Sequence, residues 1–369
     1  MRNNSLHPSW KFGTPIIAAC LLVSLLCACI IPGSQTQTPA NSTSNPGETP
    51  TSITYGGSDE LNPDQVATLS SLKKIDDHPL YTMQYAGQYS QIMSGLLDEE
   101  KFNQIWSSNF QQWSCSLFAA LGDDQDMSFG RNFDWQFSPA LLLFTKPPDG
   151  YASVSMVDMA YLGFDPDQAG ALTELSLEDR QALLLAPHLP FDGMNETGLT
   201  IGMAAVPHGN MITDPARTTI DSLDVIRQIL DKAANIEQAI AILGSYNIDY
   251  GSGPPLHYLI ADASGNAVLV EFYQGQMHLI RNEKPWLSAT NFLLSSVDDP
   301  QGQCWRYDKI DKEMKTSKGN LSKTRAMELL SSVSQTNTQW SIIYHMTTAK
   351  IEVVMGRQYD HQHEFILKH

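Results

Sequence analysis

From Trp113 to Trp135 the chain reads WSCSLFAALGDDQDMSFGRNFDW. Two apolar runs, CSLFAAL and MSFGRNF, flank the turn-rich GDDQD, a pattern that predicts two short strands closed into a hairpin. The first run opens on Cys115, and Arg131 and Asp134 follow sixteen and nineteen positions later. Residues across a two-stranded turn face each other, so the hairpin is expected to bring both charges beside the cysteine.

Downstream, ALLLFTK and YASVSMVDM are further strand candidates separated by Pro147-Pro148-Asp149-Gly150, and GLTIGMAAV is another. Two helices are predicted next, SLDVIRQILDKAAN with Ser222 as its N-cap, and IEQAIAILGSY. Strands return in LHYLIAD, AVLVEFY and QMHLIRN; SKTRAMELLSSVSQ reads as a helix, and WSIIYHM with KIEVVMG as a closing hairpin. GSGPPL, Gly251 to Leu256, lacks a following helix signal and is a loop rather than a phosphate cradle. Strands, helices, strands and a helix in that order predict an α+β layered fold. Upstream, Asp59 to about Gln112 carries apolar residues at helical spacing, with acidic residues early and lysines late in DELNPDQVATLSSLKKI. That segment is expected to be helical.

The chain has 369 residues and a formal net charge of −17 at pH 7. Such a surface repels phosphate backbones and argues against nucleic acid as a partner. Arg2 and Lys11 precede an uncharged apolar run from Thr14 to Ile31, the arrangement of a secretory signal or a single anchor helix. The run ends in Leu26-Cys27-Ala28-Cys29, which resembles a bacterial lipobox. The resemblance implies a signal peptide over residues 1–28, cleavage before Cys29, lipidation of its thiol, and a membrane-anchored, extracytoplasmic protein. Residues 29–58, rich in Ser, Thr, Pro, Asn and Gly, cannot bury enough apolar surface to order themselves and read as a tether.

In the body beyond Cys29, Cys115 and Cys304 are the two cysteines. Cys115 is therefore half of one disulfide, an inert buried thiol, or a reactive one. A reactive thiol needs a base. His188, His257 and His345 lie in or beside apolar stretches and read as structural, while His361 and His363 lack partners at metal-ligand spacing, so neither a metal nor another cofactor is expected. A break between Ser114 and Cys115 would supply a base of another kind, because the freed α-amine, with a pKa of about 7.7–8.0, lies on the nucleophile residue itself. Asp134 would then hold the amine and Arg131 the thiolate.

CSLFAAL followed by FGRNFDW resembles the opening of the N-terminal-nucleophile hydrolases of the choloylglycine hydrolase family and its wider set, which takes in penicillin V acylase, acid ceramidase and the isopenicillin-N acyltransferase-like group. FDGMNETGL (Phe191–Leu199), SATNF (Ser288–Phe292), WSIIYHM and CWRY (Cys304–Tyr307) resemble further elements of that set. The likeness implies a four-layer αββα sandwich over residues 115–369, preceded by a helical pro-segment, residues 59–114, that autocatalytic cleavage at Ser114–Cys115 cuts from the domain and that can stay attached noncovalently. It implies hydrolysis of a linear amide, an N-acyl amide, through a thioester acyl-enzyme. Transfer of the acyl group to an amine acceptor and a noncatalytic ligand-binding lipoprotein are the alternatives. Carried over residue by residue, it makes Cys115 the nucleophile, Arg131 and Asp134 its orienting charges, Asn291 an oxyanion donor and Arg306 a further site member. Asn195 either sets a turn or contacts substrate. One departure stands out. Bile salt hydrolases carry a second oxyanion asparagine ten positions after the residue matching Asn195, and here that position is Ala205. A linear amide other than a bile salt is expected.

Overall fold

The computed structural model describes residues 61–89, 114–164, 168, 170–210, 213–251 and 253–368. The expected signal peptide, Cys29, the tether and the second half of the pro-segment lie outside these residues.

The hairpin forms as expected. Strand β3 (Ser114–Ala120) pairs antiparallel with β4 (Ser128–Asp134), Cys115 opposite Phe133 and Leu117 opposite Arg131. It sits in a six-stranded antiparallel sheet, ordered β14 (Trp286–Ala289), β3, β4, β15 (Thr338–His345), β16 (Lys350–Met355), β17 (Gln362–Ile366). A nine-stranded sheet lies against it. Its order is β1 (Lys73–Asp76), β2 (Leu80–Tyr85), β5 (Ala140–Thr145), β6 (Ser153–Asp158), β7 (Asp192–Asn195), β8 (Thr200–Ala205), β11 (Leu256–Ala261), β12 (Ala267–Tyr273), β13 (Gln276–Arg281). A short parallel pair, β9 (Thr218–Asp221) with β10 (Tyr246–Asp249), stands apart.

The two sheets meet face to face, β3 on β8 and β11, and β14 on β12. Helices α2 (Asp224–Lys232) and α3 (Ile236–Ser245) cover the outer face of the larger sheet, against β7, β8, β11 and β12. Helices α4 (Trp305–Ser317) and α5 (Lys323–Ser332) cover the smaller one, against β14, β3, β4 and β15. The architecture is the four-layer αββα sandwich. Strand alternation explains the double burial of β3 and β4: Leu117 and Phe129 point into the inter-sheet core, Phe118 and Ala120 into the helix-side core with Ile310, Met314 and Leu330. Two glycines record close approaches. A Cβ on Gly130 would collide with the Phe118 ring, and one on Gly202 with Leu117 from the opposite sheet.

Three expectations are corrected. Among the described residues before Cys115, the chain is helical over α1 (Pro63–Ser70), where Asn62 and Gln65 form a capping box. Ser71 ends it by donating to the Thr68 carbonyl and accepting from the Gln84 amide. The chain then forms β1 and β2, and β2 runs parallel to β5 over six residue pairs from Leu80–Ala140 to Tyr85–Thr145. The pairing of Leu80-Tyr81-Thr82-Met83 with a buried strand overrides the local helical spacing. Ser222 is not the cap of α2. Its amide is spent on the Asp249 carbonyl and its own carbonyl on the Tyr258 hydroxyl, and Asp221 Oδ1 accepts the Leu223 amide at 2.7 Å instead. Helix α4, rich in alternating charges, was not expected at all.

Candidate active site

Cys115 lies at the first turn-distal end of β3, where β8, β14, β15 and α4 also converge. Its side chain is 2% exposed, and both it and Cys304 are free thiols. Three different elements hold three of its atoms. The backbone N–H donates to Asn291 Oδ1 at 2.7 Å. The carbonyl accepts from Arg306 Nη1. The sulfur stands 3.8 Å from Arg131 Nη2.

Arg306, in the first turn of α4, is the organiser of this edge. Nη1 also donates to Ser116 Oγ at 3.1 Å, and Nη2 donates to Asn291 Oδ1 at 2.9 Å. Asn291 thus presents its oxygen to two donors, and its Nδ2 donates to the Ala205 carbonyl at 2.9 Å. That network fixes which end of the amide is oxygen. The position that lacks an asparagine side chain still belongs to the site, through its backbone.

Arg131 and Asp134 do not share a face, because residues three apart on a strand point oppositely. Arg131 projects between the sheets with Cys115. Its Nη1 donates to the Phe191 carbonyl at 2.8 Å and to Asp192 Oδ2, and the rings of Phe133 and Trp340 cover it at 5.1 and 6.0 Å. Asp134 projects toward the helix layer, opposite Ser114 in the register. Its Oδ1 accepts the Thr338 hydroxyl at 2.5 Å, and its Oδ2 is 3.8 Å from Arg306 Nη1. The oxygen that meets the Cys115 nitrogen is therefore that of Asn291 and not of Asp134.

Asn195 sits at the other end of β7–β8. Its Oδ1 accepts from the Thr197 amide and hydroxyl and from the Leu199 amide, and its Nδ2 donates to the carbonyls of Leu230 and Ala233. Every polar atom is engaged in tying the turn to α2. From Thr200 to Ala205 a strand advances about 17 Å, so the turn and Cys115 are at opposite edges.

Sequence reading missed Asp192, Tyr344 and Thr338. Asp192 is fully buried, binds Arg131 through one oxygen, and accepts the Tyr344 hydroxyl at 2.5 Å through the other. Breaking such a buried ion pair by removing one partner costs about 3–5 kcal/mol, since the other charge is stranded. The three histidines read as structural are partnered: His188 with Asp224 and the Tyr89 carbonyl, His257 with Glu271, His345 with Asp126. His363 meets Asp76 at 2.6 Å. Among the described residues no three His, Cys, Asp or Glu side chains are grouped to hold a metal.

The electrostatics follow from burial and charge. Burial pushes the Cys115 thiol up; Arg131 pulls it back, Asp134 adds to the rise, and Arg306 lowers it. Burial also raises Asp134 to about 6, against the pull of Arg306 and the Thr338 hydroxyl. Burial opposes the charge on Arg131, but Asp192 and Cys115 more than offset it, so the guanidinium is held above its ordinary value. The arrangement sets a thiol whose ionisation is opposed by burial beside a fixed cation.

Residues 115–289 match the family described as linear amide C–N hydrolases, choloylglycine hydrolase family. An uncharacterised protein of Paramecium bursaria Chlorella virus 1 is 27% identical over 154 residues, 40% of this chain and 47% of that protein. The chain thus spans about half the length of that curated relative. Among solved structures, a conjugated bile acid hydrolase from Clostridium perfringens aligns at 15% identity over 69% of this chain and 92% of its own, with a TM-score of 0.49. Penicillin V acylase from Agrobacterium tumefaciens aligns at 13% identity over 65% and 83%, with a TM-score of 0.45. The family match opens on Cys115 itself. Over residues 115–289, a little under half of the chain, the sequence is similar to the choloylglycine hydrolase family of linear amide C–N hydrolases.

Proposed function

We propose that the protein is a cysteine amidohydrolase in which Cys115 is the nucleophile and its own α-amine the base. The carrying observation is that the nitrogen, carbonyl and sulfur of this one residue are each met by a polar group from a different element, Asn291, Arg306 and Arg131. In the continuous chain the nitrogen is a peptide N–H. Attack of the Cys115 sulfur on the Ser114 carbonyl would form a thioester and release the nitrogen as an amine. Water would then hydrolyse that thioester, leaving a Ser114 carboxylate and a free thiol. Thereafter the amine takes the thiol proton, and the thiolate adds to the carbonyl of an N-acyl amide. The C–N bond breaks as the leaving nitrogen receives the proton. Water cleaves the second thioester to the acid.

Asn291 Oδ1 orients the amine in this scheme, and the second hydrogen on its Nδ2 is available to the oxyanion. The Ala205 position supplies no side-chain donor there, which favours a linear amide other than a bile salt. We further propose that Cys29 is lipidated and that the domain works outside a bacterial membrane on a tether of residues 29–58, on the strength of the Leu26-Cys27-Ala28-Cys29 sequence.

Incubation of the purified chain with a panel of N-acyl amides tests the reading. Release of acid and amine is expected from the wild type, and a Cys115→Ala chain is expected to lose at least a thousandfold and to stay uncut at Ser114–Cys115. Hydrolysis undiminished in Cys115→Ala refutes the assignment.

A further inference from the structure

The cation beside the sulfur is itself held by a second pair of groups, drawn from two strands that carry no part of the nucleophile. Arg131 Nη1 is fixed by the Phe191 carbonyl and Asp192 of β7, while its Nε has no hydrogen-bond partner among the described residues. Nη2 faces two sulfurs, Cys115 Sγ and Met203 Sδ, each at 3.8 Å. A guanidinium is a rigid planar fork, so the grip on Nη1 decides where Nη2 points. Asp192 in turn gives its other oxygen to the Tyr344 hydroxyl of β15. Arg131, Asp192 and Tyr344 are all fully buried, so water does not screen the field between them.

Resting on the reading of Cys115 as nucleophile, we propose that Asp192 and Tyr344 are positioning residues which, through Arg131, set how readily the Cys115 thiol ionises. The charged and titratable groups that act on that thiol are Arg131 of β4, which touches it, and, from the helix side of the sheet, Asp134 of β4 and Arg306 of α4, with Asp192 and Tyr344 behind Arg131. The Tyr344 hydroxyl points its hydrogen at Asp192 and dilutes the carboxylate's negative field. Removing it leaves the carboxylate stronger, cancels more of Arg131, and makes the thiolate harder to form. Removing the carboxylate charge does the opposite, because Arg131 is left with the thiolate as its counter-ion. The two changes therefore move the thiol in opposite directions, which simple loosening of the packing would not do.

The test is the rate of iodoacetamide alkylation of Cys115 across pH 6–10 in the full chain, followed by mass spectrometry of the peptide that carries it. Near-UV circular dichroism confirms the fold of each variant. Tyr344→Phe is expected to raise the midpoint by about half a unit, a roughly threefold slower reaction below the midpoint. Asp192→Asn is expected to lower the midpoint. If Asp192→Asn does not fold, Tyr344→Phe decides alone: a midpoint that is unmoved or lowered overturns the proposal. Alkylation needs no substrate. Shifts of the stated sign in a protein that hydrolyses no N-acyl amide would defeat the functional reading and leave the positioning role standing; hydrolysis with unmoved midpoints would do the reverse.

Discussion

Arg306 joins the backbone edge of the site, reaching the Cys115 carbonyl, Ser116 Oγ and Asn291 Oδ1 with two nitrogens and facing Asp134 with one of them. A lysine has one nitrogen and cannot span those acceptors. Arg306→Lys is expected to keep the fold and lower kcat/KM about a hundredfold, the scale of an ångström's misplacement of reacting groups; steady-state kinetics on a responsive amide checks it, and activity within threefold of wild type would contradict it. At this scale Cys115 and Arg131 were expected from the hairpin, and Asn291 and Arg306 from the resemblance of SATNF and CWRY to family elements; the structure brings the four side chains together. Asp192 was not expected. It sits in FDGMNETGL, but nothing local says that its carboxylate crosses to another sheet to meet Arg131, sixty-one positions upstream. Nor did the hairpin alone reveal that Arg131 and Asp134 part company. That follows from counting strand alternation, which the facing-residue argument left out.

Among the elements, the β1–β2 hairpin is the informative one. It precedes the proposed break, yet β2 is hydrogen-bonded to β5 inside the nine-stranded sheet, with Leu80, Tyr81 and Met83 fully buried. Each such side chain is worth about 1.5–3 kcal/mol in burial. Tyr89 adds a hydroxyl held by both oxygens of Asp231 at 2.7 and 2.8 Å, and His363 of β17 reaches Asp76. In protein cut at Ser114–Cys115, the piece bearing residues 61–89 is therefore expected to co-elute with the remainder in native gel filtration and to part from it only in strong denaturant. Separation in native buffer would show that the hairpin is dispensable. Most strands of the domain were legible from alternation and turn residues. The hairpin was not, because its short strands follow a helical start and only the distant β5 gives their edge a partner. Helix α4 was missed because a mostly charged stretch carries little apolar periodicity, while its inward residues Ile310 and Met314 find a core built by other segments.

For the whole molecule, acid carboxyls decide the pH response. Burial raises Asp134 to about 6, Asp158 to about 7 and Asp221 to about 6. A group whose folded pKa lies above its unfolded value gives stability that is full below the unfolded pKa and lost as pH rises through the folded one. Asp76, Glu271 and Glu352 are lowered despite burial, through hydrogen bonds and ion pairs with histidines, so their contribution fails only below the ordinary carboxyl range. Between pH 8 and 5.5 the first set outnumbers the opposing group, His78, which burial lowers so that acid costs stability, and the reduction of a net charge of −17 works with the first set. The melting temperature is expected to rise by roughly 5 °C from pH 8 to pH 5.5, read by calorimetry, and a fall would contradict the assignment of these carboxyls. Activity is expected to run the other way, falling on the acid side first as the Cys115 amine, of ordinary pKa about 7.7–8.0, takes up a proton, and further near pH 6 as Asp134 does. The central claim is the identity of the nucleophile and of the base beside it, and intact-mass analysis of catalytically competent protein tests it most directly. The account predicts a fragment whose first residue is Cys115 in every active sample, and none in Cys115→Ala; full amide hydrolysis by protein whose Ser114–Cys115 bond is uncut would contradict it.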